Sequence, residues 1–228
     1  SGDVTHVVPR YNWTSGNAYV AWNDQDADIF TKQFYVLTDE RKVFKCVRAG
    51  TGSSIVKPTL AQVPPDSTGG DGYVWKYMYT LAILDAEKFL TNFYFPVKTV
   101  VLPVSGLSSD LSESDLAQYN NQQSSISTLQ GKIYDIRVST GGVGYTSATA
   151  VITGDGTGAV ATVQLSGGVV TGLTLTNAGQ NYNIATVVIS GDGTGALAYP
   201  IMSPSYGHGS DPVNELGGHY VGVNVRLE

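Results

Sequence analysis

The sequence predicts a mainly β protein: a β-sandwich-like domain with one or two short helices, plus a small domain made of a duplicated β repeat. Three observations carry that expectation. Short apolar runs are divided by Gly-bearing turns, with 27 glycines in 228 residues, as in chains of strands joined by tight connections. Tyr73 to Tyr79 alternates with β-favouring side chains throughout. Tyr73, Trp75, Tyr77 and Tyr79 then share one strand face, and Val74, Lys76 and Met78 the other. Finally, Gly154-Asp155-Gly156-Thr157-Gly158 recurs as Gly191-Asp192-Gly193-Thr194-Gly195, and Tyr145 recurs as Tyr182 at the same offset of 37 residues. A fixed offset with identical turn chemistry marks a duplication.

Residues 1–104 form the first predicted domain. Ala18 to Trp22 is a short apolar stretch, and Gln33–Leu37 and Val43–Val47 read as strands. Thr38-Asp39-Glu40-Arg41 between them has turn chemistry, which makes a hairpin. The basic residues from Arg41 to Arg48 alternate with Val43 and Cys46, the pattern of a strand's polar face. Pro58 to Gly72 is a loop. Phe93 to Val101 is extended, with Pro96 placing it at a sheet edge or a bend.

Residues 105–138 change in character. A helix is expected from Ser112 to about Gln123, with Ser112 as N-cap and acids in its first turn. Leu116, Tyr119 and Gln123 would share a face. Asn120-Asn121-Gln122-Gln123 is weakly helical, so a linker should follow and return the chain to a strand at Lys132–Val138. Residues 139–200 are the duplicated insert, each copy reading strand, Gly turn, strand, Gly-rich turn, strand. Two copies are too few for a long solenoid, so they should pack on one another as a small sandwich or barrel. The insert ends, near Ser139 and Pro200, lie in Gly/Ser/Pro-rich sequence, where insertions are tolerated. Residues 201–228 comprise a loop carrying His208, Asp211 and Glu215 and a strand from His219 that rejoins the first domain. The alternation Val221, Val223, Val225, Leu227 runs into the last residues, so the chain reads as a fragment of a longer protein.

Composition excludes several function classes. Thirteen Lys and Arg stand against 19 Asp and Glu, a net charge of -6, and no basic stripe for nucleic acid exists. No apolar run approaches the roughly 20 residues of a membrane helix. Cys46 is the single cysteine and sits among Phe44 and Val47 as a buried apolar thiol. His6, His208 and His219 lack metal-type spacing. The Gly-Asp-Gly-Thr-Gly segments lack the Lys of a phosphate loop and lie too far apart for a stacked calcium repeat, so they read as turns capped by Asp155 and Asp192. No cofactor or metal is expected. No nucleophile-elbow pattern appears, and Asp24, Asp26 and Asp28 cluster in a loop, so no catalytic residue is assigned. Trp13, Trp22 and the Tyr73–Tyr79 face are candidates for stacking on sugars. An aromatic stripe at period 2, however, is the usual buried face of a sheet.

His6-Val7-Val8-Pro9-Arg10-Tyr11-Asn12-Trp13 resembles a Val-Ile-Pro-Arg, two residues, Trp motif of the baseplate wedge proteins (the gene product eight family) of T-even-related contractile-tailed phages. Val43-Phe44-Lys45-Cys46-Val47 resembles that family's Val-Tyr-Arg-Cys-Leu strand. Gly70-Asp71-Gly72-Tyr73-Val74-Trp75-Lys76-Tyr77 is similar to its Gly-Asp-Gly-Tyr-Val-Trp-Glu-Tyr segment, and Gly131-Lys132-Ile133-Tyr134 to a later Gly, X, Ile-Tyr strand. The likeness covers the first ~100 residues and then thins. The T-even protein passes almost directly from that strand to the next, whereas this chain carries the duplicated unit, which is similar to insertions in tail proteins of marine phages.

The resemblance implies a non-catalytic virion subunit, assembled in the host cytoplasm. It implies a homodimer that joins other wedge proteins in the tail baseplate, with no nucleic-acid or membrane partner. It also leads to the expectation that Trp75 is buried near Pro9–Trp13. The alternative is a carbohydrate-binding or adhesin module of a tail fibre or cell surface. A glycan hydrolase would need a cleft with two carboxylates at catalytic separation.

Overall fold

The structure is a computed structural model that describes residues 2–60, 70–103, 106–129 and 131–225. In chain order the strands of the first half are β1 (Val4–Pro9), β2 (Tyr35–Leu37), β3 (Lys42–Arg48), β4 (Val74–Thr80) and β5 (Tyr94–Val97). Helices α1 (Ile83–Phe89) and α2 (Glu113–Leu129) follow β4 and β5 respectively. Then come β6 (Ile133–Val143), β7 (Ala148–Gly154), β8 (Thr157–Ser166), β9 (Val169–Gln180), β10 (Ala185–Gly191) and β11 (Thr194–Met202). Helix α3 (Pro212–Leu216) and β12 (Tyr220–Val223) complete the order. The protein is mainly β, with small antiparallel sheets. It divides into two compact units: Ser1–Trp22, Asp26–Ser125 and His208–Glu228 in the first, Asn23–Gln25 and Ile126–Gly207 in the second.

The first unit holds two three-stranded sheets, β2-β3-β4 and β12-β1-β5. The β2–β3 hairpin forms where its turn residues place it, with Leu37 opposite Val43 and Arg41 at φ 59. Tyr and Phe side chains join the sheets. The Tyr35 ring meets Phe95 edge-on at 5.9 Å, and its hydroxyl donates to Pro9 O at 2.9 Å. The Tyr79 hydroxyl donates to Pro96 O at 3.0 Å. Pro96 lies on β5, an edge strand whose partner is β1, where its missing N–H costs no ladder bond. Ala18–Trp22 forms no strand, but Tyr19 and Trp22 are buried.

The alternation from Arg41 to Arg48 predicts a polar face for β3, yet β3 is buried on both faces, Lys45 included, and so is β4 with Lys76. Trp75 is buried with Tyr19, Tyr73 and Phe44, and Trp13 packs against the same cluster. The expected place of Trp75 beside the Pro9–Trp13 segment holds. Most of the Pro58–Gly72 loop, residues 61–69, lies outside the described residues, as does Leu227.

Helix α2 starts as expected. Asp115 N donates to Ser112 Oγ at 3.2 Å, a side-chain N-cap. It does not give way to a linker at Gln123 but runs to Leu129. Its polar run is kept helical by tertiary hydrogen bonds. Gln118 donates to Thr99 O at 2.8 Å. Gln122 accepts from Val101 N at 3.1 Å and donates to Val101 O at 3.2 Å. Asn121 donates to Tyr77 O at 2.9 Å, on the outer edge of β4, which covers an otherwise open edge. The inward stripe is therefore Gln118, Gln122 and Ser125, while Gln123 faces solvent, in place of the expected Leu116–Tyr119–Gln123 face. Helix α3 was not anticipated, although its signals are local: Asp211 accepts from Asn214 N at 3.2 Å, Pro212 is the first helical residue and Gly217 ends it at φ 72.

The second unit is an interlaced duplication. Its sheets are the pairs β6–β11, β7–β10 and β8–β9. Shifting β6, β7 and β8 by 37 residues lands on β9, β10 and β11. Every ladder between these strands therefore joins one copy to the other, and exchanging the copies maps β6–β11 onto β9–β8 and β7–β10 onto itself. Ile133, Ile136, Tyr145, Ala161, Val170, Leu173 and Tyr182 form the core between them. This compact unit starts at Ile126. The boundary read at Ser139 thus falls inside β6, which pairs with β11 from Ile133 onward.

Candidate functional site

The two Gly-Asp-Gly-Thr-Gly turns are clips between the copies. Asp155 accepts from Asn183 N and Ile184 N, both at 2.9 Å, and from Asn183 Nδ2 at 3.0 Å. Its counterpart Asp192 accepts from Thr146 N and Ser147 N at 2.9 Å and from the Thr146 hydroxyl. The N–H groups of Ile184 and Asn183, with the Asn183 amide, hold Asp155 at about 2. The Thr146 hydroxyl and the N–H groups of Ser147 and Thr146 hold Asp192 at about 2. Both carboxylates are thus engaged in capping, each on the loop of the other copy. The glycines are sterically required: a Cβ on Gly156 would lie 2.5 Å from Tyr182 Cγ, and one on Gly193 2.5 Å from Tyr145 Cγ.

The other singled-out residues are dispersed. Cys46 is buried in the aromatic cluster. His6 Nδ1 donates to Gly218 O at 2.8 Å. His219 lies edge-on to Phe30, and His208 is buried edge-on to Trp22. Asp24 accepts from Met202 N at 3.1 Å, and burial raises its carboxyl. Asp26 instead pairs with Lys32. No group of three His, Cys, Asp or Glu able to hold a metal occurs among the described residues. Trp22 and the Tyr73–Tyr79 stripe are buried and Trp13 half-buried, so these aromatics are core side chains and not a sugar platform.

Two of the segments that carry the sequence resemblance meet through Ser54, which links Trp13 to Asp71. Trp13 Nε1 donates to Ser54 Oγ at 3.2 Å, and Ser54 Oγ donates to Asp71 at 3.2 Å. Asp71 also accepts from Ile55 N, Val56 N and Tyr73 N. Arg10 braces the entrance of β5 by donating to Thr91 O at 2.8 Å.

Sequence reasoning missed a buried charge cluster. Lys45 is ion-paired with Glu215, and neither side chain reaches solvent appreciably. Lys45 Nζ also lies 4.5 Å from the centre of the Trp22 ring. Glu215 accepts from Gly209 N at 2.8 Å and Asp211 N at 3.0 Å. Burial pulls the Lys45 ammonium down against the opposing pull of Glu215, and burial brings Lys76 to about 8. The partners are 170 residues apart, and no local pattern signals such a pair.

The first unit also carries an exposed outer strand, β12. It pairs with β1 on one side and ends its sheet on the other. Tyr220, Val221, Val223 and Val225 each leave more than half of their surface open, and no charged residue lies between Tyr220 and Val225. With Val7, Phe89 and Tyr94 this strand borders a groove of about 340 Å³. An uncharged, apolar edge strand is a template for another chain. Comparison with protein-family models, with curated proteins and with solved structures finds no match for this chain.

Proposed function

We propose that the chain is a structural subunit of a phage tail baseplate wedge, working by protein–protein assembly and not by catalysis. The observation that carries this reading is the exposed, uncharged edge of β12. The resemblance of the first ~100 residues supports it, and there Trp13 and Asp71 are tied together through Ser54. On this reading the subunit is a homodimer inside the virion and joins other wedge proteins. Two-fold contacts are the commonest in homo-oligomers, and a stable one here should bury at least about 1,000 Å².

Sedimentation of the protein at micromolar concentration tests the proposal. A dimer is expected, and Val221→Lys with Val223→Lys should convert it to monomer without loss of secondary structure. A strict monomer that binds no neighbouring wedge protein would remove the reading.

A further inference from the structure

The second unit has an open groove of about 870 Å³, within the size range of ligand sites. Lys132, Gln180, Asn181, Ser203 and Tyr206 are among its lining residues, and none of the residues lining it is acidic. Three features mark it out. The Ser203 hydroxyl oxygen is shielded from solvent and makes no hydrogen bond within the described chain. Such a group in a native fold calls for an explanation. Tyr206 leaves 55% of its surface exposed and stands at φ 68, and Asn181 stands at φ 61. Residues other than Gly held there are strained and concentrate at ligand sites.

The duplication supplies an internal control. At the offset of 37 residues, Gln180 corresponds to Val143, Asn181 to Gly144 and Lys132 to Val169. Gly144 adopts φ 77, so this backbone position needs a left-handed conformation in both copies. One copy meets it with glycine, and the other accepts a side chain. Val143 pairs with Thr194 as Gln180 pairs with Thr157, so the ladder does not require an amide there.

We propose that this groove binds an oligosaccharide. Gln180 and Asn181 each offer an amide that donates and accepts, matching paired sugar hydroxyls. The Ser203 hydroxyl adds a sheltered donor and acceptor at the wall. The Tyr206 ring offers a flat apolar face for the C–H face of a pyranose. Lys132 is a single cation, too little for a polyanion such as nucleic acid but suited to one sugar carboxylate. The groove is independent of the β12 edge, so a failed assembly test leaves it standing.

Calorimetric titration of the whole chain with chitotetraose, cellotetraose and an alginate tetramer tests the proposal. Binding at millimolar or better is expected for at least one. Tyr206→Ala should weaken it by roughly tenfold or more, a change of about 1.4 kcal/mol. The pair Gln180→Val with Asn181→Gly, which copies the other repeat and relieves the left-handed residue, should do the same with unfolding temperature held or raised. A preference for the alginate tetramer that Lys132→Val abolishes would assign the cation its role. Absence of millimolar binding to all three sugars, or binding that survives both sets of substitutions, would overturn the proposal.

Discussion

Lys45, Lys76 and Glu215 place two amines and one carboxylate inside the first unit. Removing one partner of a buried ion pair leaves an uncompensated charge, so Glu215→Gln should lower stability by about 3–5 kcal/mol in urea unfolding. Lys76→Met should be neutral or stabilising, because no ammonium then has to be buried. Lys76 titrates at about 8 in the folded chain, against about 10.4 when unfolded. Between those values the unfolded state binds more protons, so stability should rise as pH increases from about 8 to 10. Lys45, also lowered, acts in the same direction. Above that window the buried Tyr35 and Tyr79, both raised, reverse the trend, since the unfolded tyrosines ionise first. A urea midpoint that rises less across the window in Lys76→Met than in the parent is the expected result.

The carboxylates of Asp155 and Asp192 give a dependence of the same sign in acid, where stability again rises with pH. Both are depressed to about 2 in the folded chain. Their contribution is present above the unfolded carboxylate value, about 3.9, and is lost as pH falls through about 2. Asp155→Ala and Asp192→Ala should each lower the unfolding temperature of the second unit at neutral pH. The deficit should shrink in acid, and the pseudo-symmetry predicts similar deficits for the two.

Among the elements, α2 is a helix whose inward face is made of amides. Its sequence has little apolar content to bury, and packing usually supplies most helical stability. Here Gln122 satisfies both backbone groups of Val101, as a neighbouring strand would. Gln122→Ala should therefore cost about 1–3 kcal/mol through the unpaired backbone groups, read by thermal unfolding. Gln123→Ala, on the solvent side, should cost far less. Strand β12 is the reverse case, apolar where it is exposed, which is why its substitution is expected to change association and not folding.

For the whole molecule, the second unit is inserted between Ser125 and His208, which touch: the Ser125 hydroxyl donates to His208 O. Replacing Ser127–Tyr206 with a short Gly/Ser linker should leave the first unit folded, with cooperative unfolding retained by circular dichroism. The cut at Ser139 and Pro200 suggested by composition would instead strand part of β6 without its β11 partner. Within the second unit, neither copy has a ladder of its own. A chain divided at Gly167-Gly168 should yield two halves that are unfolded alone and gain β structure when mixed.

Much of this was legible locally. The hairpin at Thr38–Arg41, the buried stripe Tyr73–Tyr79, the Ser112 cap, the edge position of Pro96 and the duplication all follow from side-chain period, turn chemistry and repeat offset, which act over a few bonds. Three other features were not legible. The interlacing of the copies was hidden because identical turns suit pairing within a copy or across copies. Its realisation rests on contacts such as Gly156 under Tyr182. The helicity of Asn120–Gln123 was hidden because propensity sees the amides but not the strand backbone that they satisfy. The Lys45–Glu215 pair joins β3 to α3, and a lysine on an alternating strand shows its fate only when another element closes over it. Local codes set which residues become strands and turns. Burial, and the matching of polar groups it enforces, set which strands pair and where charge is hidden, because desolvation arises only when distant segments meet.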